Sequence, residues 1–300
     1  MLSRRQILAM AGLPACAQEP PSPTIRVDVR LIRVFANVKN QDGGLIGGLE
    51  KSDFEIRDNG VPQEIAVFER STQQPLRVAV LLDISASVIK EMKYEVEATM
   101  RFARALIGEG NEQDSMALIT FNHAVDLIAG FTRSLRRIER ALKDLKPNSG
   151  TSLYDAIYLA SEELEGQDGR KVIILVTDGG DTASFKKFPD ALLSVQRAQA
   201  SIYPILVTPV LNDPGRNVGG ENALQLMAER SGGRVLLPGA FERLTESFTE
   251  ILRDLRTQYL LGFYPRGVEG AKEKFHRLQV AVRKPNLRVQ ARTGYYEDTL

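Results

Sequence analysis

Asp83, Ser85 and Ser87 stand at alternate positions directly after the apolar run of residues 78–82. One carboxylate and two hydroxyls offer only hard oxygen donors, a set suited to Mg²⁺ or Mn²⁺ rather than to soft metals. The run before them has the unbroken hydrophobicity of a strand buried on both faces. In an open α/β sheet, ligands gather at the carboxyl ends of such strands. The spacing predicts a cation site at a strand end, with the remaining ligands drawn from other strand ends.

Two further positions qualify. Gly150-Thr151 opens a helical segment after the turn at Pro147-Asn148-Ser149, and Asp178 follows the apolar residues 172–176. If those two apolar strands are neighbours, both acids and Thr151 converge at one rim. Two carboxylates about 6 Å apart repel by roughly 3 kcal/mol at an effective dielectric of roughly 20. A divalent cation turns that cost into attraction. Ser85, Ser87 and Thr151 ligate without adding charge, which leaves the ion able to accept one more acid from outside.

The positioning elements follow from the hydrophobic pattern. From Leu76 onward, strand-like and helix-like stretches alternate, the mark of a mostly parallel sheet with helices on both faces. Strands are expected at 78–82, 115–121, 125–131, 172–176, 202–207 and 235–237, the second and third joined by a tight turn at Asn122-His123-Ala124 and therefore antiparallel. Helices are expected between them, closing with a long one over 241–255 whose apolar side carries Phe241, Leu244, Phe248 and Ile251. The fold class is α/β, a doubly wound six-stranded sheet over residues 76–255. Residues 25–70 and 256–298 instead alternate with a period of two. Phe54 with Ile56, and Ile65 with Val67, form two strands around the turn Asp58-Asn59-Gly60, and three more strands follow Arg256. Neither set is large enough to bury a core alone. The two halves are expected to complete one antiparallel β-sandwich into which the α/β unit is inserted, and the helix over 241–255 then joins the two.

Residues 1–17 have the form of an export signal: Arg4 and Arg5, a short apolar stretch over 7–13, and the small-residue site Ala15-Cys16-Ala17. Ser3-Arg4-Arg5-Gln6-Ile7-Leu8 resembles a twin-arginine signal. Leu13-Pro14-Ala15-Cys16 resembles a lipobox, which would make Cys16 a lipid anchor, although Pro14 departs from that pattern. Residues 18–24 are a proline-rich linker. The chain is thus expected to be exported, periplasmic or secreted, with anchoring through Cys16 as the alternative. Cys16 is the sole cysteine, so the mature chain would have neither disulfide nor thiol nucleophile.

The net charge of +1 gives no global reason for nucleic-acid or membrane attraction. Two histidines, His123 and His276, leave little for a zinc site or a Ser-His-Asp triad. His123 is expected in a solvated turn and His276 at a strand start with no partner in sequence reach, while Asp181 is expected to cap a helix or face the surface rather than to sit beside the site. There is no Gly-x-Ser-x-Gly elbow and no Gly-x-x-x-x-Gly-Lys phosphate loop. A metal-dependent hydrolase would need a general base or second metal beside Asp83, and the sequence places no His or Glu for it. No enzymatic activity is expected.

Asp83-x-Ser85-x-Ser87, Gly150-Thr151 and Thr177-Asp178-Gly179, in that order, resemble the metal-ion-dependent adhesion site of von Willebrand factor A domains. The likeness covers about residues 76–255. The flanking Gly48-Leu49-x-x-Ser52-Asp53-Phe54, Asp58-Asn59-Gly60-x-x-Gln63, the stretch 259–264 and Ala291-Arg292-x-Gly294-Tyr295-Tyr296 resemble bacterial von Willebrand factor A-related proteins of the acidobacterial type. The resemblance implies Ser85, Ser87 and Thr151 as ligands of Mg²⁺, with Mn²⁺ or Ca²⁺ as alternatives. It implies Asp83 and Asp178 as direct or water-mediated ligands. A partner protein's Asp or Glu would complete the octahedron. The implied function is adhesion or protein interaction; an assembly factor or structural subunit of an envelope complex is the alternative, with a metal-dependent hydrolase behind both.

Overall fold

Eight residues, Leu76–Asp83 (β5), run through the middle of the molecule with every side chain buried except that of Arg77. In the computed structural model, which describes residues 31–70, 74–86, 92–207, 217–268 and 274–297, this strand is the centre of a five-stranded sheet. The leader with Cys16, the linker, residues 25–30 of the N-terminal β half, and Ser87 lie outside the described residues. β5 pairs in parallel with Ser115–Phe121 (β6) on one side and Arg170–Thr177 (β8) on the other. Ser201–Leu206 (β9) extends the sheet beyond β8, also in parallel. Val125–Thr132 (β7) closes the other edge antiparallel to β6, as its tight turn demands.

The continuous hydrophobicity of β5 is explained by two helical layers. Leu76, Val78, Val80 and Leu82 pack with Met92–Gly108 (α1), Leu135–Lys143 (α2) and Leu244–Arg256 (α6). Ala79 and Leu81 face the opposite way, toward Leu153–Glu165 (α3), Phe188–Arg197 (α4) and Val218–Ser231 (α5). The sheet has five strands among the described residues, not six. Residues 235–237 are too short to add a strand, and Leu236 makes only an isolated bridge to Ile205.

The flanking segments form two antiparallel sheets. Ile32–Lys39 (β1) pairs with Tyr259–Phe263 (β10) and with Arg288–Ala291 (β12), and Ile65–Glu69 (β4) lies on the far side of β10. Phe54–Asp58 (β2) pairs with Val61–Gln63 (β3) and with Phe275–Val282 (β11), whose other neighbour is Gly294–Tyr296 (β13). Strands from before and after the α/β unit therefore share both sheets. Their inner faces meet in one apolar cluster that includes Val34, Phe54, Ile56, Tyr259, Leu261 and Leu278.

One expectation about this module is corrected. The turn at Asn59-Gly60 joins β2 to β3, not to β4, which crosses into the other sheet. Pro62 makes residues 61–63 look unlike a strand, but proline is accepted on a sheet edge. The partners of His276 include one far away in sequence. Its Nδ1 lies 3.0 Å from Asp58 Oδ1, its Nε2 lies 3.0 Å from Glu297 Oε1, and the Tyr295 hydroxyl donates to Asp58 Oδ2 at 2.6 Å. Asp58 is 218 residues away in sequence, so local reading could not find the pair.

Candidate metal centre

The register of β5 against β8 sets Leu82 opposite Val176, so Asp83 ends β5 beside Thr177, and Asp178 follows at the same edge. Asp83 is fully buried. Its Oδ1 accepts from the Ser85 amide at 2.9 Å and its Oδ2 from the Thr177 hydroxyl at 2.8 Å. Burial pushes the Asp83 carboxyl up to about 6, against the opposing hydrogen bonds from Ser85 and Thr177, and the nearby Asp178 carboxylate adds to the rise. A carboxylate in this position is costly to ionise unless a positive charge meets it.

Two loops complete the rim. The Ile84 amide donates to the Phe121 carbonyl at 2.9 Å, and the Ile84 carbonyl accepts from the Asn148 amide at 3.2 Å. These bonds hold Ser85 against the segment that leads to Thr151. Gly150 has φ +84°, and a Cβ there would lie 3.0 Å from that of His123, so conformation and space both require glycine. The next residue, Thr151, is buried and is held by its backbone: its amide donates to Thr182 Oγ1 at 2.9 Å, and its carbonyl accepts from the amides of Thr182 and Ala183. The Thr151 hydroxyl takes no part in that anchoring. Asp178, half-buried, accepts from the Gly180 amide at 3.2 Å.

The structure thus brings Asp83, Ser85, Thr151 and Asp178 to one edge; Ser87 is outside the described residues. Asp181 does cap a helix, as its Oδ1 accepts from the Leu153 amide at 3.0 Å at the start of α3. Thr177, named in the sequence motif without a role of its own, orients Asp83. Glu221, near the start of α5, packs on Gly179, and the backbone of exposed His123 packs on Gly150. A His and a Glu therefore do stand at this rim, though neither is adjacent to Asp83 in sequence.

The donors fit a hard divalent cation. They are carboxylates and hydroxyls alone, and one of the carboxylates is buried at the cost just described. Among the described residues no group of three or more His, Cys, Asp or Glu is arranged to hold a metal, and this set has only two acids.

Residues 78–180 match the family model described as the von Willebrand factor type A domain. No curated protein matches the chain. Similar solved structures include the vWF domain of the type V pili tip protein Mfa5 from Porphyromonas gingivalis, 15% identical with a TM-score of 0.49, covering 61% of this chain and 95% of that one. Proximal thread matrix protein 1 from the mussel byssus is 15% identical with a TM-score of 0.50, covering 62% of this chain and 49% of that one. The PilB minor pilin from Streptococcus sanguinis is 14% identical with a TM-score of 0.49, covering 62% of each chain. At such identities the likeness is one of fold. The byssus protein, at a TM-score of 0.50, agrees in fold with the family match, so that over residues 78–180 the unit built around β5 is a von Willebrand factor type A domain.

Proposed function

We propose that this is an exported interaction protein whose A domain holds Mg²⁺ through Asp83, Ser85, Ser87, Thr151 and Asp178 and uses it to grip an acidic residue of a protein partner. The observation that carries the reading is the meeting of two carboxylates and neutral hydroxyls at the ends of β5 and β8. These residues would hold the ion directly or through water, and a carboxylate from outside would suit it in charge and in hardness. The bound ion would supply that electrostatic attraction. The chain's own part is to fix the donors: Thr177 and the Ser85 amide orient Asp83, and Thr182 with Ala183 places Thr151. Export rests on the leader sequence, and the site is read as a binding site rather than a catalytic one.

Calorimetric titration of the full chain with Mg²⁺ tests this. The parent protein is expected to bind one ion and to melt at a higher temperature in its presence. Asp83→Ala is expected to remain folded and to lose both responses. Unchanged Mg²⁺ affinity in that variant would overturn the site.

A further inference from the structure

The exposed apolar side chains of this protein are not scattered. Six large hydrophobic side chains are exposed among the described residues, and four of them lie at or near the rim that carries Asp83 and Asp178. Leu237, 61% exposed, follows the bridge between Leu236 and Ile205 at the end of β9. Val218, 55% exposed, opens α5, whose Gly220 is pressed so closely on the Gly179 carbonyl that a Cβ would lie 1.8 Å from it. Leu127, 39% exposed, is in β7 opposite Ile119, two residues below the strand end. Phe185 is 92% exposed.

Phe185 is also held in place. Its amide donates to Asp155 Oδ2 at 3.0 Å and the next amide, of Lys186, to Asp155 Oδ1 at 2.8 Å. Ser184 Oγ accepts from the Tyr154 and Asp155 amides and donates to Asp181. Ala183, two residues before Phe185, bonds directly to the Thr151 carbonyl. Two residues span at most about 7 Å, so the Phe185 backbone lies close to the segment bonded to Thr151. A loop with its backbone bonded to the start of α3 presents a bare aromatic ring to solvent, at a cost in hydration that folding alone does not explain. Lys187, exposed, and Lys186, whose Nζ stands 4.0 Å from the Tyr158 ring centre, put positive charge beside the ring. The carboxylates of Asp155 and Asp190 are turned to backbone amides.

We propose that Phe185 is the apolar anchor of the partner-binding face, and that the partner is a protein whose metal-seeking Asp or Glu is flanked by apolar side chains that close over this ring. The inference rests on the metal-site reading above for the acidic half of the partner only. Preorganised aromatics of this kind dominate binding energy at interfaces, where truncation of a hot spot costs about 30-fold or more in affinity.

The test is selection of a random displayed-peptide library on the full chain in excess Mg²⁺, with the parent, Phe185→Ser and Asp83→Ala in parallel. The parent is expected to enrich peptides with Asp or Glu next to aromatic or aliphatic residues. Phe185→Ser is expected to melt at the parent temperature, keep the acid preference, lose the apolar one, and bind the parent's peptides about 30-fold more weakly. Asp83→Ala is expected to lose the acid preference. Identical apolar enrichment and affinity in Phe185→Ser would overturn the anchor while leaving the metal reading standing. Identical acid enrichment in Asp83→Ala would overturn the metal reading while leaving the anchor standing. No enrichment on the parent over the bare support would overturn the anchor as well.

Discussion

At the scale of single residues, Asp83 carries two opposed demands. Burial raises its carboxyl from 3.8 to about 6, so at neutral pH the metal-free fold holds an ionised group it disfavours. Two units of such a shift correspond to about 3 kcal/mol. Asp83→Asn keeps the shape and an acceptor for the Ser85 amide while removing the charge. In chelator it is expected to be more stable than the parent by about 1–3 kcal/mol, given the residual disturbance at Thr177. In Mg²⁺ the order is expected to reverse, because only the parent gains from binding, by about 4.1 kcal/mol at a thousandfold excess over Kd. Melting curves in both conditions check this; a variant that melts below the parent in chelator contradicts the account. Thr151 offers the complementary case. Its backbone anchors the loop and its hydroxyl does not. Thr151→Ala is therefore expected to weaken Mg²⁺ about tenfold, one lost oxygen ligand at roughly 1.4 kcal/mol, with the metal-free melting temperature unchanged. A fall in melting temperature without a change in Mg²⁺ affinity would assign Thr151 a structural role instead.

At the scale of elements, the site depends on how the loop after β8 is fastened to the start of α3. Asp155 accepts two amides of that loop, and Asp181 returns a bond to the first amide of the helix. Acidic groups are favoured at a helix N-terminus in any case, so the same residues stabilise α3. Asp155→Ala is expected to speed amide hydrogen exchange at Phe185 and Lys186, to cost about 1 kcal/mol of stability, and to leave exchange in β5 and β8 unchanged. Unaltered exchange at Phe185 would show that the fastening lies elsewhere. This latch is also where sequence reading stops. An apolar run ending in Asp83 announces its own environment, because burial on both faces demands unbroken hydrophobicity. So does the tight turn between β6 and β7. Asp155 announces nothing, since an acid in the first turn of a helix is common and its partners lie 30 and 31 residues downstream. The same limit hides the pairing of His276 with Asp58 and the exchange of β3 for β4 as the partner of β2. Long-range partners leave no trace in local periodicity, whereas the neighbouring of β5 and β8 leaves one in the oxygen-bearing residues at the ends of both strands.

At the scale of the whole molecule, the rim that carries Asp83 and Asp178 lies at one end of the central strands, and Arg170 marks the other end, where the β-sandwich meets them. It is the first residue of β8, its amide donates to the Pro75 carbonyl at 2.8 Å, and its guanidinium stands 4.5 Å from the Phe35 ring centre of β1. The same guanidinium donates to the Leu255 carbonyl in the last turn of α6 at 2.5 Å and to Gln258 Oε1, directly before β10. A cation there also complements the negative end of the helix. Burial lowers its pKa to about 10, which still leaves it charged at neutral pH. Asp254 makes a second tie, accepting from Arg234 at 2.6 Å and from Lys39 of β1 at 3.3 Å. Both ties run through α6, the helix that joins the two units in sequence. Arg170→Met fills much of the volume but takes the donor from the Leu255 carbonyl and from Gln258 Oε1, at a cost of about 1–3 kcal/mol for each buried oxygen left without a partner. Because that cost falls on the junction and not on either core, the variant is expected to uncouple the units rather than to lower the whole molecule evenly. Differential scanning calorimetry of the full chain should show one transition for the parent and two for Arg170→Met, the transition that shifts with Mg²⁺ belonging to the A domain. A single transition in the variant, displaced as a whole, would mean that the packing of α5 against β12 and of α4 against β13 already binds the units into one cooperative body.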